Sequence, residues 1–272
     1  MRFYKIISIV LAVVISMSGC SAIGQPLGEK NTPVPTVIEG YTAKGVGSAK
    51  TLEGSCFIVN VFLSDDSSKW SDEDKHGALV YLENALEFLM AQADRYGKML
   101  SFSFTDEDAS ANIKVSGELP NDSEGMNKLF FMMEESGMSI KRLEEKCGLE
   151  NMLELYDNVF FLIFVNKQGR SYSLMYDSQY SDCEEFFSER SVLFYNTDRN
   201  YKYCANAAVY AHEILHLFGA ADMYQGSKHE DMGSIYEKDI MNKTPFDMTD
   251  VSIEAFTAFC VGLADTRAGE AK

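Results

Sequence analysis

The sequence predicts a mixed α+β fold of the α/β-like type, in which a long helix and a second, apolar helix pack on a sheet. Residues 56–63 form an apolar, β-rich run, and leucines at helical spacing follow at 72–96. Residues 159–165 form a continuous apolar run, which is typical of a strand covered on both faces. His212 and His216 then lie at helical spacing in an otherwise apolar segment. This order of strands and helices predicts helices packed on a sheet.

The first twenty residues have the composition of a bacterial export signal. Arg2 and Lys5 precede an apolar run at 6–17, which is too short to span a bilayer comfortably. The Ser-Gly-Cys sequence that ends at Cys20 resembles a lipobox, in which the cysteine becomes the lipidated first residue of the mature chain. We therefore expect a signal peptide at 1–19 and a lipid anchor at Cys20, on the extracytoplasmic side of the cell membrane. Plain secretion is the alternative.

The next segment has the composition of a linker. Residues 21–51 are poor in large apolar side chains and contain three of the five prolines, Pro26, Pro33 and Pro35. We expect the lipidated cysteine and a flexible tether at 20–53, followed by one folded domain at 54–272. The apolar content of 46% is ample for a packed core in a domain of this length.

The net charge limits the partners of the chain. At −17, the chain is repelled by the phosphates of nucleic acids and by anionic membrane surfaces. We therefore expect no nucleic-acid partner, and contact with the membrane only through the lipid. The acidic surface either keeps the protein soluble or attracts basic substrates. We expect a monomer.

Further elements can be predicted in chain order. Residues 100–104 alternate as a half-buried strand does. The acidic residues at 106–108 then form either a solvated turn or a calcium site, although the spacing of a calcium loop is lacking. Residues 123–156 are predicted to form one or two helices, broken near Gly137 and Gly148.

The second half of the chain contains two weaker strand patterns and one helical pattern. Residues 171–176 alternate after a turn, and residues 192–195 form a short apolar run. Residues 247–262 have apolar side chains at mixed helical spacing, which predicts a C-terminal helix packed against the histidine helix.

The strongest functional pattern surrounds the paired histidines. Residues four apart share one face of a helix, so His212 and His216 can bind one metal ion while Glu213 lies beside them. Gly219 can take a left-handed conformation that stops the helix and brings Asp222 back as a third ligand. A buried helix that uses these side chains only for packing and hydrogen bonding is the alternative interpretation.

The pattern His-Glu-x-x-His-x-x-Gly-x-x-Asp at 212–222 resembles the zinc signature of the metzincin metallopeptidases. It is similar to the variant with aspartate as third ligand, as in snapalysin-like secreted bacterial peptidases. The resemblance implies a zincin-like mixed, twisted sheet with a long backing helix, an active-site helix and a smaller C-terminal part. An edge strand above the zinc cleft would hold extended substrate, and either 171–176 or 192–195 would serve.

Metzincins also carry a methionine-containing turn beneath the zinc. The sequence Asp-Ile-Met-Asn at 239–242 resembles it, which makes Met241 the candidate residue. The chain departs from several metzincins in having Lys243, where those proteins have a tyrosine. Tyr224 and Tyr236 are therefore the candidate stabilisers of the transition state.

The resemblance implies a Zn²⁺-dependent endopeptidase that acts on protein or peptide substrates. Glu213 would serve as the general base for a water bound to the zinc. Two alternatives are a non-catalytic surface-binding lipoprotein with a zincin fold, and a zinc amidase that acts on cell-wall peptides.

Other histidines and cysteines leave further alternatives. A residue near His229 could replace Asp222 as third ligand, whereas His76 is expected on the surface. Cys204 lies eight residues before His212, two turns back along the same helix, and is an unfavourable ligand for that reason. Without Cys20, five cysteines remain, which allow two disulfides and one free thiol without requiring either, at positions 56, 147, 183, 204 and 260.

Overall fold

The computed structural model describes residues 5–7, 45, 47–175 and 188–264. These residues form a mixed α+β fold with a mostly parallel sheet, which confirms the predicted fold class at that level. The strands are β1 (Lys5–Ile7), β2 (Gly54–Ser64), β3 (Leu100–Phe104), β4 (Ala111–Lys114), β5 (Asn158–Val165), β6 (Tyr172–Leu174) and β7 (Arg190–Phe194). The helices are α1 (Asp72–Arg95), α2 (Met126–Glu135), α3 (Ile140–Cys147), α4 (Leu149–Leu155), α5 (Ala207–Leu217), α6 (Glu230–Ile235) and α7 (Ala255–Cys260), with short 3₁₀ helices at Ser123–Gly125 and Met248–Asp250.

The sheet has the strand order β1-β3-β2-β5-β7-β6, and β4 pairs with the second half of β2. The pairs among β2, β3, β4, β5 and β7 are parallel, whereas β1 and β6 are antiparallel to their neighbours. Within the described residues, β6 is therefore an antiparallel edge strand. Strand β7 lies between β5 and β6, so residues 192–194 of the predicted strand at 192–195 belong to an interior strand and not to the edge.

Helices cover both faces of the sheet. Ile58 and Phe62 of β2 lie in one buried cluster with apolar residues of α1 and α5. Phe57 and Val61 of the same strand lie in a second cluster with residues of α2, α3 and α4. Because successive side chains of a strand point to opposite faces, both sets must be apolar. This explains why residues 56–63 of β2 are apolar except for Asn60, and why residues 159–165 of β5 are all apolar. Each buried large apolar side chain contributes about 1.5 to 3 kcal/mol.

The long helix α1 has clear signals at both ends. The Ser71 side chain accepts a hydrogen bond from the Asp74 N–H, and the Asp74 carboxylate accepts one from the Ser71 N–H, which forms a capping box. The chain leaves the helix at Tyr96, and Gly97 follows with a φ of 70°. The predicted helix at 72–96 is therefore confirmed to within one residue.

The structure corrects some elements. The region 123–156 contains three α-helices rather than one or two, although the interruptions at Gly137 and Gly148 are confirmed by their positive φ angles. Strand β4 was not predicted. The C-terminal helix has only six residues, because a 3₁₀ helix and a backbone bridge between Asp239 and Ser252 precede it. Strand β6 is a three-residue element, and residue 176 lies outside the described part of the chain.

The segment before β2 packs on the domain. Ser48, Ala49 and Leu52 are buried, and the Leu52 N–H donates to the Val261 carbonyl. Strand β1 lies within the predicted signal peptide, whereas Cys20 and most of the predicted tether lie outside the described residues. In the part of the chain that the structure describes, no helix is long and apolar enough to span a bilayer.

Candidate metal centre

Local sequence fixes both ends of α5. The Asn206 side chain caps the first turn by accepting a hydrogen bond from the Val209 N–H. At the other end, Gly219 has a φ of 98°, and the Ala220 N–H donates to the Leu215 carbonyl at 3.1 Å. This pattern is a glycine-dependent helix stop. The prediction that Gly219 ends the helix and reverses the chain is confirmed.

The two histidines of α5 are oriented by backbone carbonyls. His216 Nδ1 lies 2.8 Å from the Ala220 oxygen, and His212 Nδ1 lies 3.1 Å from the Ile240 oxygen. Since a carbonyl oxygen can only accept, each ring must carry a proton on Nδ1 to make its bond. In the neutral ring, Nε2 then has a free lone pair, which is the form that binds a metal.

The three predicted ligands converge. His212 Nε2 and His216 Nε2 are 3.1 Å apart, and each lies 3.1 Å from Asp222 Oδ1. Among the described residues, these three side chains form the one group of histidine, cysteine or acidic residues whose ligand atoms could share a metal ion.

This donor set fits a zinc ion. Asp222 Oδ1 is buried, and among the described residues the polar hydrogens that could reach it are those on the two Nε2 atoms, which are present only when these nitrogens are protonated. Three ligands at zinc distances of about 2.0 to 2.2 Å, in tetrahedral arrangement, lie about 3.3 to 3.6 Å from one another. The observed separations need to widen by only a few tenths of an ångström to meet that range.

The pKa values also indicate that the cluster favours a positive charge at its centre. Burial lowers the pKa of His216, but the hydrogen bond with Asp222 and the charge of Glu213 outweigh it and raise the pKa to about 9. Burial raises the pKa of Asp222, but the hydrogen bonds from both histidines hold it well below its usual range. Both directions have the same cause, which is that two imidazoles face one buried carboxylate, so a positive charge between these side chains is favourable.

The other oxygen of Asp222 is held by a tyrosine. The Tyr224 hydroxyl donates to Asp222 Oδ2 at 3.0 Å and accepts from the Arg170 guanidinium at 2.7 Å. Arg170 also lies over the ring of Tyr203, with 5.7 Å between the guanidinium carbon and the ring centroid. Because its proton goes to Asp222, Tyr224 supports a candidate ligand in this arrangement, whereas the sequence alone makes it a candidate stabiliser of the transition state.

Glu213 is buried beside the cluster, with 6% of its surface exposed. The Ser173 hydroxyl on β6 lies 2.8 Å from Glu213 Oε2. Glu213, which belongs to α5, therefore also contacts the edge strand of the described sheet.

The turn at 239–242 lies below His212. Met241 is fully buried, and its carbonyl accepts from the Met223 N–H at 3.0 Å. The neighbouring Ile240 supplies the carbonyl for His212. Asp239, also fully buried, accepts from the N–H groups of Met241 and Glu254, each at 2.8 Å. Burial nevertheless raises the pKa of Asp239 to about 6.

Other predicted candidates lie elsewhere. Tyr236 stacks on Phe256, with ring centroids 6.5 Å apart, and His229 lies 6.1 Å from the same ring. Cys204 precedes α5, since the helix begins at Ala207, so the expectation that it continues the same helix is wrong. His76 is on the surface, 3.3 Å from Glu107.

The cysteines contribute no disulfide among the residues for which thiols are described. Cys56, Cys147 and Cys204 have free thiols. Cys183 lies outside the described residues. The arrangement of two disulfides and one free thiol therefore finds no support in these three residues.

Sequence reasoning did not identify Ser173, Arg170 and Asp239 as parts of this site. Ser173 lies in a segment that was predicted as a strand, but alternation alone does not show that its hydroxyl meets Glu213. Asp239 was noticed only as a neighbour of Met241. Their roles depend on tertiary contacts that leave no short pattern in the sequence.

A scan against protein-family models and a search of curated proteins both found no match to this chain. The family resemblance therefore rests on the motif residues themselves and on the arrangement in which the fold holds them.

Proposed function

We propose that this protein is a zinc-dependent endopeptidase of the metzincin type, held outside the bacterial cytoplasm by a lipid on Cys20. The observation that carries the proposal is the convergence of His212, His216 and Asp222 beside the buried carboxylate of Glu213. Three protein ligands with one position left for water are the usual composition of a catalytic zinc site.

The arrangement of the sheet supports the same proposal. The sheet is mostly parallel, a long helix backs it, and the antiparallel strand β6 lies at its described edge in contact with α5. This is compatible with the zincin-like architecture that the motif resemblance implies. We assign the buried turn with Met241 below His212 as the methionine turn in this proposal.

The residues have distinct roles in the proposed mechanism. His212, His216 and Asp222 would hold the zinc ion, which when bound supplies a Lewis acid that polarises the scissile carbonyl and acidifies a water molecule. Glu213 Oε1 takes a proton from the attacking water and delivers it to the leaving amine, while Oε2 stays bonded to Ser173. Water and substrate amide are consumed, and a carboxylate and an amine are produced.

Substrate is proposed to pair with β6. An edge strand has free backbone N–H and C=O groups on its outer side, and an extended peptide can add to them as a further strand. Ser173 links this strand to the Glu213 carboxylate, so the same strand contacts both the bound peptide and the general base.

The proposal is tested with Glu213→Gln. The variant keeps the shape of the side chain but cannot accept a proton, so we expect a normal zinc content and a fall in turnover of on the order of a thousandfold or more. Zinc is measured by mass spectrometry of the purified mature chain, and turnover by cleavage of a mixed peptide library. Glu237→Gln, at an exposed glutamate outside the site, is the matched control and should cleave normally.

Each alternative predicts a different result. A surface-binding lipoprotein would not cleave the library, with or without bound zinc, although a pure binder has no need of a base at Glu213. A zinc amidase would leave the library intact and cleave isolated cell-wall peptides. A mature chain that binds no transition metal would remove the peptidase and the amidase and leave only the binder.

A further inference from the structure

A pair of serines connects the edge strand to Glu213. Ser173 of β6 and Ser191 of β7 are directly opposite each other across the two strands, with their hydroxyl oxygens 2.8 Å apart. Ser173 Oγ lies 2.8 Å from Glu213 Oε2 and 2.8 Å from the Glu213 carbonyl oxygen. Ser191 Oγ lies 3.3 Å from the same carbonyl oxygen.

Counting protons decides how these contacts are used. Each hydroxyl has one proton to donate and lone pairs to accept with. If Ser173 donated to the Glu213 carbonyl, its oxygen would face the carboxylate oxygen at 2.8 Å with no proton between them. Two protons cannot serve all four contacts, and donation from Ser173 to the carbonyl would leave the charged Oε2 with no proton from either serine. If Ser173 donates to Oε2 and Ser191 donates to the carbonyl, each of these two oxygens of Glu213 receives one proton, and the stronger bond goes to the charged oxygen.

We propose that Ser173 is a positioning residue that holds the carboxylate of Glu213 in its working orientation. The hydrogen bond fixes Oε2, which leaves Oε1 to take and return the proton. Bonds from a hydroxyl to a carboxylate are stronger than bonds between neutral groups, and they cost more to lose where the carboxylate is buried, as it is here.

The position of Ser173 in the fold gives this contact a further consequence. Strand β6 is the strand to which an extended substrate is proposed to add. A peptide that fixes β6 in place therefore also fixes Ser173, which holds Glu213. The catalytic consequence rests on the proposed function, whereas the hydrogen bond itself can be tested without any activity.

The first measurement is spectroscopic. The mature chain is labelled with ¹³C at glutamate carboxyl carbons and loaded with zinc, and the Glu213 resonance is assigned by its disappearance in Glu213→Gln. We expect Ser173→Ala to move this resonance and Ser173→Thr, which keeps a hydroxyl, to restore it. Ser171→Ala is the matched control, because its hydroxyl bonds the Phe194 N–H and not Glu213.

The second measurement is kinetic, on a fluorogenic peptide taken from the library fragments that the unmodified chain cleaves. We expect Ser173→Ala to lower kcat about tenfold with KM changed less than about twofold, as for loss of one supporting hydrogen bond. Ser173→Thr should recover most of kcat, and Ser171→Ala should behave as the unmodified chain.

The outcomes separate this inference from the proposed function. A Glu213 resonance that is unmoved in Ser173→Ala would overturn the inference, and so would an equal fall in kcat for Ser171→Ala, which would indicate general loosening of β6. If no peptide is cleaved by the unmodified chain but the resonance moves, the peptidase proposal fails and the contact stands.

Discussion

Two regions of this protein place histidine near acidic side chains, and only one of them forms a candidate metal site. His212 and His216 are buried or partly buried, and their Nε2 atoms lie 3.1 Å from Asp222. His76 lies 3.3 Å from Glu107 in the acidic turn after β3, but its side chain is 70% exposed. The residue types are alike, so composition does not account for the difference.

The difference lies in how the rings are held. Each ring of the α5 pair is fixed through Nδ1 by a carbonyl from outside the helix, which directs Nε2 to a common point. His76 is held by one surface ion pair, and such pairs contribute about 0 to 1 kcal/mol. Thus the calcium alternative at 106–108 receives no support from converging ligands within the described residues.

Removing one histidine from each region gives the largest expected contrast. His216→Ala deletes a ring whose Nε2 faces both other ligands, so we expect zinc affinity to fall by on the order of a thousandfold. His76→Ala should leave zinc affinity unchanged. Both are measured by competition with a chelator of known affinity. Equal affinities for the two variants would contradict the assignment of the site to α5.

The supporting turn below His212 can be tested through pH. Burial raises the pKa of Asp239 from 3.8 to about 6, so the folded protein holds this proton more tightly than the unfolded chain. The associated stability is fully present below about pH 4 and is lost as pH rises through 6. The shift corresponds to about 3 kcal/mol.

The amide of Asp239→Asn does not titrate, so the free energy of unfolding of this variant should not fall for this reason as pH rises through 6. The free energy of unfolding of the variant, minus that of the unmodified chain, should increase by about 3 kcal/mol between pH 4 and pH 7. Urea unfolding of the metal-free chains measures this difference. A pH-independent change in the free energy of unfolding, caused by replacing one carboxyl oxygen with an amide nitrogen, leaves this pH dependence unchanged.

Asp157→Asn provides a control of opposite sign. Hydrogen bonds from Ser55 lower the pKa of Asp157, so its stabilisation is present above the ordinary pKa and is lost as pH falls. The free energy of unfolding of Asp157→Asn, minus that of the unmodified chain, should therefore decrease as pH rises. A pH-independent difference for Asp239→Asn would show that this carboxyl does not titrate abnormally.

The contrast between the regions also explains what could be predicted from the sequence. Strands such as β2 and β5, and helix α1, follow from local periodicity and capping residues, which the chain shows in contiguous segments. The ligands on α5 and the stop at Gly219 are likewise local, and Asp222 follows from them within a few residues.

Features that depend on distant segments could not be predicted in the same way. The carbonyl of Ile240 reaches His212 across 28 residues, and Ser173 reaches Glu213 across 40. The edge position of β6 depends on β7 entering the sheet between it and β5, and the order of strands is not encoded in the pattern of either strand. Contacts between segments so far apart in the sequence can be identified only from the three-dimensional structure.

The smallest expected effect concerns the tyrosine that supports the third ligand. Tyr224→Phe removes the hydrogen bond to Asp222 Oδ2 and keeps the ring, so Asp222 can rotate away from the histidines. Loss of an outer hydrogen bond to a metal ligand costs about tenfold in affinity or more. We expect zinc to bind about tenfold more weakly to Tyr224→Phe, as measured by the same chelator competition.

Tyr203→Phe is the matched control, because its ring also lies against Arg170 but only Tyr224 bonds the ligand. This pair also separates the two roles of Tyr224. If the hydroxyl acts on the transition state, Tyr224→Phe should lower kcat while zinc affinity stays unchanged. If it supports Asp222, the affinity falls and added zinc restores the rate. Unchanged affinity would mean that the carbonyl anchors of the two histidines suffice to make this region a metal site.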